Sequence, residues 1–491
     1  MTTQIANLGR VSTMALFSIL CFSQSAKAQL VKPVATESGL VSGVKSSTTN
    51  VVAFKGIPYA APPVGELRWR EPQPPVKWEG TRVADKFCAS CIQNVRGSSP
   101  PWTDEFMVSG AVSEDCLFLN IWTPAKKTNQ KLPVLMFIHG GAFREGSGSI
   151  AVYDGEALAN KGIIVVNINY RMGILGFFAH PELTSESPNH ASGNYALLDQ
   201  IAALQWIKKN IAAFGGDPKK VTIGGQSAGA SSVHALTASP LAKGLFVRAI
   251  AESGSTYSTG TNTTKLADAE QNGVKFALAK GVASLKDLRA LSIEQLTQTP
   301  VQGVNFGLIA DGWFLPESIP AVFAQGKQND VATLTGLNAD EGSSSPTYGK
   351  TTLAAWKEQA QNNYKDQAEY FLKLYVAETD EAAGKISKEV ARDRGMVSMY
   401  LWAKSRAATA KTSAFTYYFS RGIPWPAHPE FAAFHTSEIP YVFGNLKVLD
   451  RPWSIIDKQV SENMSYYWVN FISKGDPNGK GLPIWPAFNA N

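Results

Sequence analysis

The sequence predicts a layered α/β architecture, a large and mostly parallel sheet flanked by helices. Three observations predict it. Residues 134–138, Val134-Leu135-Met136-Phe137-Ile138, form a short apolar run without polar alternation, and residues 162–170 form a second, as strands buried on both faces require. Residues 196–214 place apolar side chains at helical spacing instead, with Leu197, Ile201, Leu204 and Ile207 on one side. Val221-Thr222-Ile223 is a further short strand that runs directly into a glycine-rich turn. Strands that alternate with helices stack into such layers.

Composition narrows the class. Of 491 residues, 44% are hydrophobic and 18% charged, and the 41 glycines and 27 prolines show no period, which excludes disordered and collagenous chains. At about 150 residues per domain the length suggests roughly three domains, but large α/β enzymes exceed that size as one fold. The net charge of +6 is spread without a Lys/Arg run, so no nucleic-acid groove is indicated.

The N-terminus reads as a signal peptide over residues 1–28. One basic residue, Arg10, precedes an apolar stretch over 11–23, and Ala26-Lys27-Ala28 fits a small-x-small cleavage site before Gln29. About 13 apolar residues are too few for a spanning helix, so no stable membrane anchor is expected. Removal of Arg10 and Lys27 lowers the net charge from +6 to +4. The expected location is secreted or periplasmic, and residues 29–491 are expected to form one domain. Export leaves Cys88, Cys91 and Cys116 in an oxidising compartment, where a disulfide from Cys116 to either Cys88 or Cys91 is the simplest pairing. Cys88-Ala-Ser-Cys91 has no second pair of ligands to complete a zinc site, so no metal is expected. No cofactor motif occurs.

Along the remaining chain, residues 39–55 read as alternating strand material, and Gly56-Ile57-Pro58-Tyr59-Ala60-Ala61-Pro62-Pro63 as a proline-rich loop. The central motif is Gly225-Gln226-Ser227-Ala228-Gly229, a G-x-S-x-G on a strand-to-helix turn. The spacing alone would arise by chance roughly 0.2 times in a chain of this length. Its setting, after the strand 221–223 and before the apolar-periodic stretch 230–236, is what the nucleophile elbow of α/β-hydrolases requires.

A serine hydroxyl needs an imidazole to take its proton, and the imidazole needs a carboxylate to hold its tautomer. With the chain order serine, acid, histidine, only His428 and His435 of the six histidines lie far enough after Ser227. His428 stands in a proline-flanked surface turn and His435 in an apolar setting, so His435 is favoured. Ala332-Thr333-Leu334-Thr335-Gly336 reads as a strand, and the loop after it offers Asp340 or Glu341 as the acid, between which the residues do not choose. His139-Gly140-Gly141-Ala142-Phe143 follows the strand 134–138, where backbone N–H groups could join that of Ala228 in an oxyanion hole. The same glycines match neither phosphate-binding pattern.

These motifs together resemble the type B carboxylesterase family, which includes the cholinesterases. The likeness rests on Phe214-Gly215-Gly216-Asp217 through Gly229, on Glu114-Asp115-Cys116-Leu117-Phe118-Leu119-Asn120, and on stretches at 56–70, 167–176, 239–255, 338–342 and 435–445. It implies an α/β-hydrolase fold with lid-like insertions and a serine carboxylesterase acting on small-molecule esters. It further implies Ser227 as nucleophile, Glu341 as acid, His435 as base, Gly141, Ala142 and Ala228 as oxyanion donors, and a Cys91–Cys116 disulfide that leaves Cys88 free. An amidase or peptidase would share the triad, and a non-catalytic binding module would be expected to have lost it.

Three departures from the family pattern stand out. Gln226 replaces a glutamate that many relatives carry, a change expected to touch none of the triad, and Ala142 replaces a glycine. Relatives also usually continue beyond the Pro483-Ile484-Trp485-Pro486 segment by some tens of residues, which leaves open either a truncated sequence or a chain without the last strand and helix. Pro101-Trp102, Phe143-Arg144 and the stretches after Ser255 and Ser345 are expected to line the pocket. Arg144 raises the expectation of selectivity for acyl groups carrying extra carboxylates, as in the polycarboxylic mycotoxin esters cleaved by some relatives. A solvated side chain beside Glu145 is the plainer reading.

Overall fold

A computed structural model describes residues 32–254 and 263–489. Its central sheet has nine strands among the described residues: β1 (Val44–Lys45), β2 (Val52–Pro58), β3 (Phe118–Thr123), β4 (Leu132–Ile138), β5 (Ile164–Ile168), β6 (Gly216–Gln226), β7 (Arg248–Glu252), β8 (Ala332–Asn338) and β9 (Ala414–Phe419). Their spatial order is β9-β8-β7-β6-β4-β5-β3-β2-β1. The six strands from β9 to β5 pair in parallel, and β5-β3-β2-β1 pair antiparallel.

The expected apolar runs form the middle of this sheet because both of its faces are covered. Alternate residues of β4 feed two cores: Val134, Met136 and Ile138 pack on one face, Leu135 and Phe137 on the other. The first face is covered by α1 (Tyr195–Asn210), where Leu197, Ile201, Leu204 and Ile207 are buried as their spacing predicts. It is also covered by α2 (Ala228–Ala238), which leaves the sheet directly after β6, and is met by Trp402 and Ala403 of the long α3 (Asp380–Ala407). The second face lies under α4 (Ile455–Lys474), which contributes Trp468, Phe471 and Ile472. Apolar burial of this kind stabilises by roughly 25 cal/mol per Å². Before α3, helices Leu353–Tyr364 and Ala368–Leu374 form a separate small core with Trp356, Phe371 and Val390.

Two expectations need correction. Residues 39–55 are not one strand: Gly39–Ser42 pairs in a separate three-stranded sheet, and a turn closed by Ser46 N–H to Val51 O separates β1 from β2. Gly56, Ile57 and Pro58 are strand rather than loop, because the register shift between Phe54 and Ile57 lets β2 continue along β3 past the irregularity. Pro58 ends the strand, where the missing N–H does least harm. The signal-peptide segment 1–28 lies outside the described residues. Among the described residues, no helix is long and apolar enough to cross a membrane.

Candidate active site

Ser227 stands between the end of β6 and the start of α2, at φ 58° and ψ −120°. This is an unfavourable conformation for an L-residue, and it persists because the surroundings determine it. The Ser227 N–H donates to Glu252 O at 2.8 Å, and Ser227 O accepts from Ser231 N–H at 3.0 Å. The flanking glycines are required by space. A Cβ on Gly229 would lie 2.0 Å from Ile138 O, and one on Gly225 would lie 2.6 Å from the Gly229 backbone. The elbow is therefore pressed against the end of β4, and Ser227 is held out at the C-terminal edge of the parallel strands.

The loop after β4 turns over at the same edge, with φ of 104° at Gly141, 54° at Ala142 and 59° at Phe143. A Cβ on Gly141 would stand 1.9 Å from Glu145 O, so only glycine fits there. Gly141 O accepts from the N–H groups of Arg144 and Glu145, which fixes the turn. None of the described residues accepts a hydrogen bond from the N–H of Gly141, Ala142 or Ala228. Ala228 owes this to its place in the first turn of α2, where backbone donors lack intrahelical partners. Three unpartnered donors at the mouth of a serine elbow suit an oxyanion.

The loop after β8 brings Glu341, not Asp340, to the imidazole of His435. Glu341 Oε2 pairs with His435 Nδ1, while its Oε1 accepts from Asn338 N–H at 2.8 Å. Asp340 is engaged elsewhere, at 2.8 Å from Arg392 Nη2 and 3.2 Å from the Tyr348 hydroxyl, and its backbone bridges to the histidine loop. Burial opposes the charge on Glu341, but the His435 imidazole and the hydrogen bonds from Asn338 and Ser253 outweigh it and hold the carboxyl below its ordinary range. Burial likewise opposes charge on His435, and Glu341, then Glu438, overcome it and raise the imidazole above its usual value.

Two further carboxylates lie behind the pair. Glu438 accepts from Asn338 Nδ2 and from Ser253 Oγ, and burial followed by the Glu341 charge pushes it up to about 7. Glu252 is buried beside Trp468 Nε1 at 3.3 Å, and burial with the nearby Glu438 raises it well above the usual range. Sequence reasoning missed both. A glutamate three residues after His435, directly before the apolar segment Ile439-Pro440-Tyr441-Val442-Phe443, was the available signal.

The expectation that Gln226 touches none of these groups is wrong: its Nε2 lies 3.3 Å from His435 Nε2. The residue before Ser227 is fully buried, and the sharp elbow that turns Ser227 outward leaves the Gln226 side chain beside the imidazole. The Ser227 hydroxyl makes no hydrogen bond to a described residue.

Ser227, His435, Gly141 and Ala142 open on one cavity of about 390 Å³. Its far wall is the loop closed by the Cys91–Cys116 disulfide, which contributes Val95, Trp102, Phe106, Met107 and Val108. Cys88 remains free, as the resemblance implied. Trp102 Nε1 donates to Thr436 Oγ1 at 2.9 Å and to His435 O at 3.3 Å, and Phe106 packs edge-on against Phe434. Gln93 ties the same loop to the turn after β4 through Gly146 N–H and O. Trp102 was expected in the lining, but its grip on the histidine loop was not.

Other candidates fall outside the cavity. Arg144 is not among its described lining residues, and its Nη2 stands 3.5 Å from Asn305 Oδ1. Phe143 packs against Phe177. His428 sits in the expected turn, 3.1 Å from Glu430. His139 is buried against Tyr170 and donates from Nδ1 to Gly140 O, and burial pulls its imidazole down to about 4. Among the described residues, no cluster of His, Cys, Asp and Glu side chains could hold a metal ion.

A mostly parallel sheet with a serine elbow at the C-terminal edge of a central strand defines an α/β-hydrolase fold. The chain belongs to the carboxylesterase family, whose sequence model matches residues 31–491. It is 37% identical to the fumonisin B1 esterase of Sphingopyxis macrogoltabida, over 92% of this chain and 84% of that protein. It is 36% identical to the para-nitrobenzyl esterase of Bacillus subtilis, over 91% of each chain. The mouse cholinesterase is 34% identical over 93% of this chain and 81% of its own length. With these relatives, the chain is a carboxylic ester hydrolase.

Proposed function

We propose that the chain cleaves esters through an acyl-enzyme on Ser227, with His435 as general base and Glu341 as its orienting acid. The observation that carries this reading is that the strained Ser227, the Glu341-paired His435 and the free N–H groups of the oxyanion turn face one cavity. His435 Nε2 takes the hydroxyl proton as Ser227 Oγ attacks the ester carbonyl. The carbonyl oxygen, now anionic, rests on the N–H groups of Gly141, Ala142 and Ala228. Collapse breaks the ester bond, and the alcohol leaves with the proton from His435. Water then repeats the sequence on the acyl-enzyme, releases the acid and restores Ser227.

The cavity favours uncharged, apolar ester groups. Val95, Trp102, Phe106, Met107, Val108 and Ile150 dominate its wall, and its charged Arg96 and Glu145 neutralise each other at 2.6 Å. We also propose that residues 1–28 direct export and that 29–491 act as one catalytic unit. The Cys91–Cys116 pairing supports export, since such bonds persist in oxidising compartments.

A series of chromogenic esters of increasing chain length, a matched anilide and fumonisin B1, the ester in the Sphingopyxis relative's name, tests the reading. Neutral esters should turn over fastest and the anilide far more slowly. Ser227→Ala and His435→Ala should each lower kcat by about 10⁴–10⁶-fold without unfolding the protein. Retained turnover in either folded variant would sink the assignment.

A further inference from the structure

The turn that carries His435 is strained. Thr436, the next residue, is β-branched and sits at φ 85°, a conformation that persists only where the surroundings impose it. On one side the turn is fixed through Phe434, whose carbonyl accepts from Asn338 Nδ2 and from Ser437 N–H, each at 2.9 Å. On the other side, Thr436 O accepts from Ile439 N–H at 3.1 Å. Between these holds, His435 O and Thr436 Oγ1 share one donor among the described residues. It is the indole N–H of Trp102, whose Nε1 lies 3.3 Å from the first and 2.9 Å from the second. The donor is itself anchored. Ser99 and Trp102 exchange two backbone hydrogen bonds, at 3.0 and 2.9 Å, and the loop that bears them is closed by Cys91–Cys116. Phe106 of the same loop packs against Phe434 and ties it to the histidine turn a second time.

We propose that Trp102 is a positioning residue for His435: its indole N–H holds the strained turn at His435 and Thr436, and with it the imidazole, in register with Ser227 and Glu341. The proposal rests on His435 being the base assigned above. A role as cavity wall would need only the aromatic ring, whereas this role needs the N–H. The distinction has consequences because His435 must meet two partners at once, Glu341 at Nδ1 and the Ser227 hydroxyl at Nε2. A displacement of about 1 Å in a reacting group can cost on the order of 10²-fold in rate. A turn in an unfavourable conformation relaxes when a hold is removed, and the ring moves with it. A substrate too small to touch Trp102 should therefore still depend on its N–H, and the dependence should fall on kcat. A wall contact would be felt in KM instead.

The test compares two variants with the wild type on a short acetate ester. Trp102→Phe keeps an aromatic wall and removes the donor, and Thr436→Val keeps a β-branched side chain and removes the nearer acceptor. Trp102→Phe should lower kcat by about 10- to 100-fold and leave KM within about twofold of wild type. Thr436→Val should lower kcat by about 10-fold, and the double variant should lose well below the product of the two losses, because both break one contact. The low-field Nδ1–H resonance of His435, identified by its absence from His435→Ala, should move to higher field in both variants as the pair with Glu341 loosens. A folded Trp102→Phe with wild-type kcat, a loss confined to KM, an unmoved resonance or a double variant that loses the full product would overturn the proposal. If Trp102→Phe does not fold, Thr436→Val decides, and wild-type kcat with an unmoved resonance in that variant would overturn it. A wild type without esterase activity would overturn the proposed function instead, and the resonance would still report whether Trp102 holds the ring.

Discussion

The two halves of the site are held in place by different means. Ser227 and the oxyanion turn are positioned by backbone: an elbow at φ 58°, a turn at Gly141, and glycines at which a Cβ would meet a carbonyl at 2.0 Å or less. Glu341 and His435 are positioned mainly by side chains, namely by each other, by Gln226 and Trp102 and by the charge of Glu438, with the backbone N–H of Asn338 on the second Glu341 oxygen. A backbone-held half tolerates no added atom but is indifferent to most side-chain chemistry. The side-chain-held half should accept isosteric changes in shape and respond strongly to changes in charge or hydrogen bonding.

Breaking the first half should have the largest effect. Gly229→Ala adds one methyl group where Ile138 O already sits, so the elbow and the end of β4 must separate. The expected result is a loss of at least about 4 kcal/mol of stability, visible as a large fall in Tm or as insoluble protein. A variant that melts with the wild type would show that the elbow yields more easily than its contacts suggest.

The second half should separate activity from stability. Glu341→Gln keeps the shape but removes the charge that holds the His435 tautomer, and should cost about 10³–10⁴-fold in kcat with little change in Tm. Asp340→Asn loses the Arg392 partner instead. It should cost on the order of 1 kcal/mol of stability and less than 10-fold in kcat. Steady-state kinetics beside thermal melts would check the pair, and the reverse ranking would reassign the acid.

The same contrast explains what could be read from the sequence. Backbone demands leave glycines at fixed spacing, so the strand, Ser227 and the helix after it were legible, as were β4, β5 and the buried side of α1. His435 followed from chain order and its apolar setting. Asp340 and Glu341 are adjacent in one loop, and which of them faces the imidazole depends on Arg392 and Phe434, which lie 52 and 94 residues beyond Asp340. Only family resemblance separated the two before the geometry did. The contact between Gln226 and His435 was misread because composition says nothing about where the elbow sends the preceding side chain. The broken strand over 39–55 shows a similar limit: alternation is present there, but it is shared between two sheets.

The central claim is that Ser227 forms the covalent acyl intermediate. It is tested most directly by incubating the protein with a fluorophosphonate, which phosphonylates activated serines, and then measuring intact mass and mapping peptides. The account predicts one adduct per chain, on the peptide containing Ser227, with parallel loss of ester hydrolysis and no adduct on Ser227→Ala. An adduct on another residue, or loss of hydrolysis with Ser227 unmodified, would contradict it.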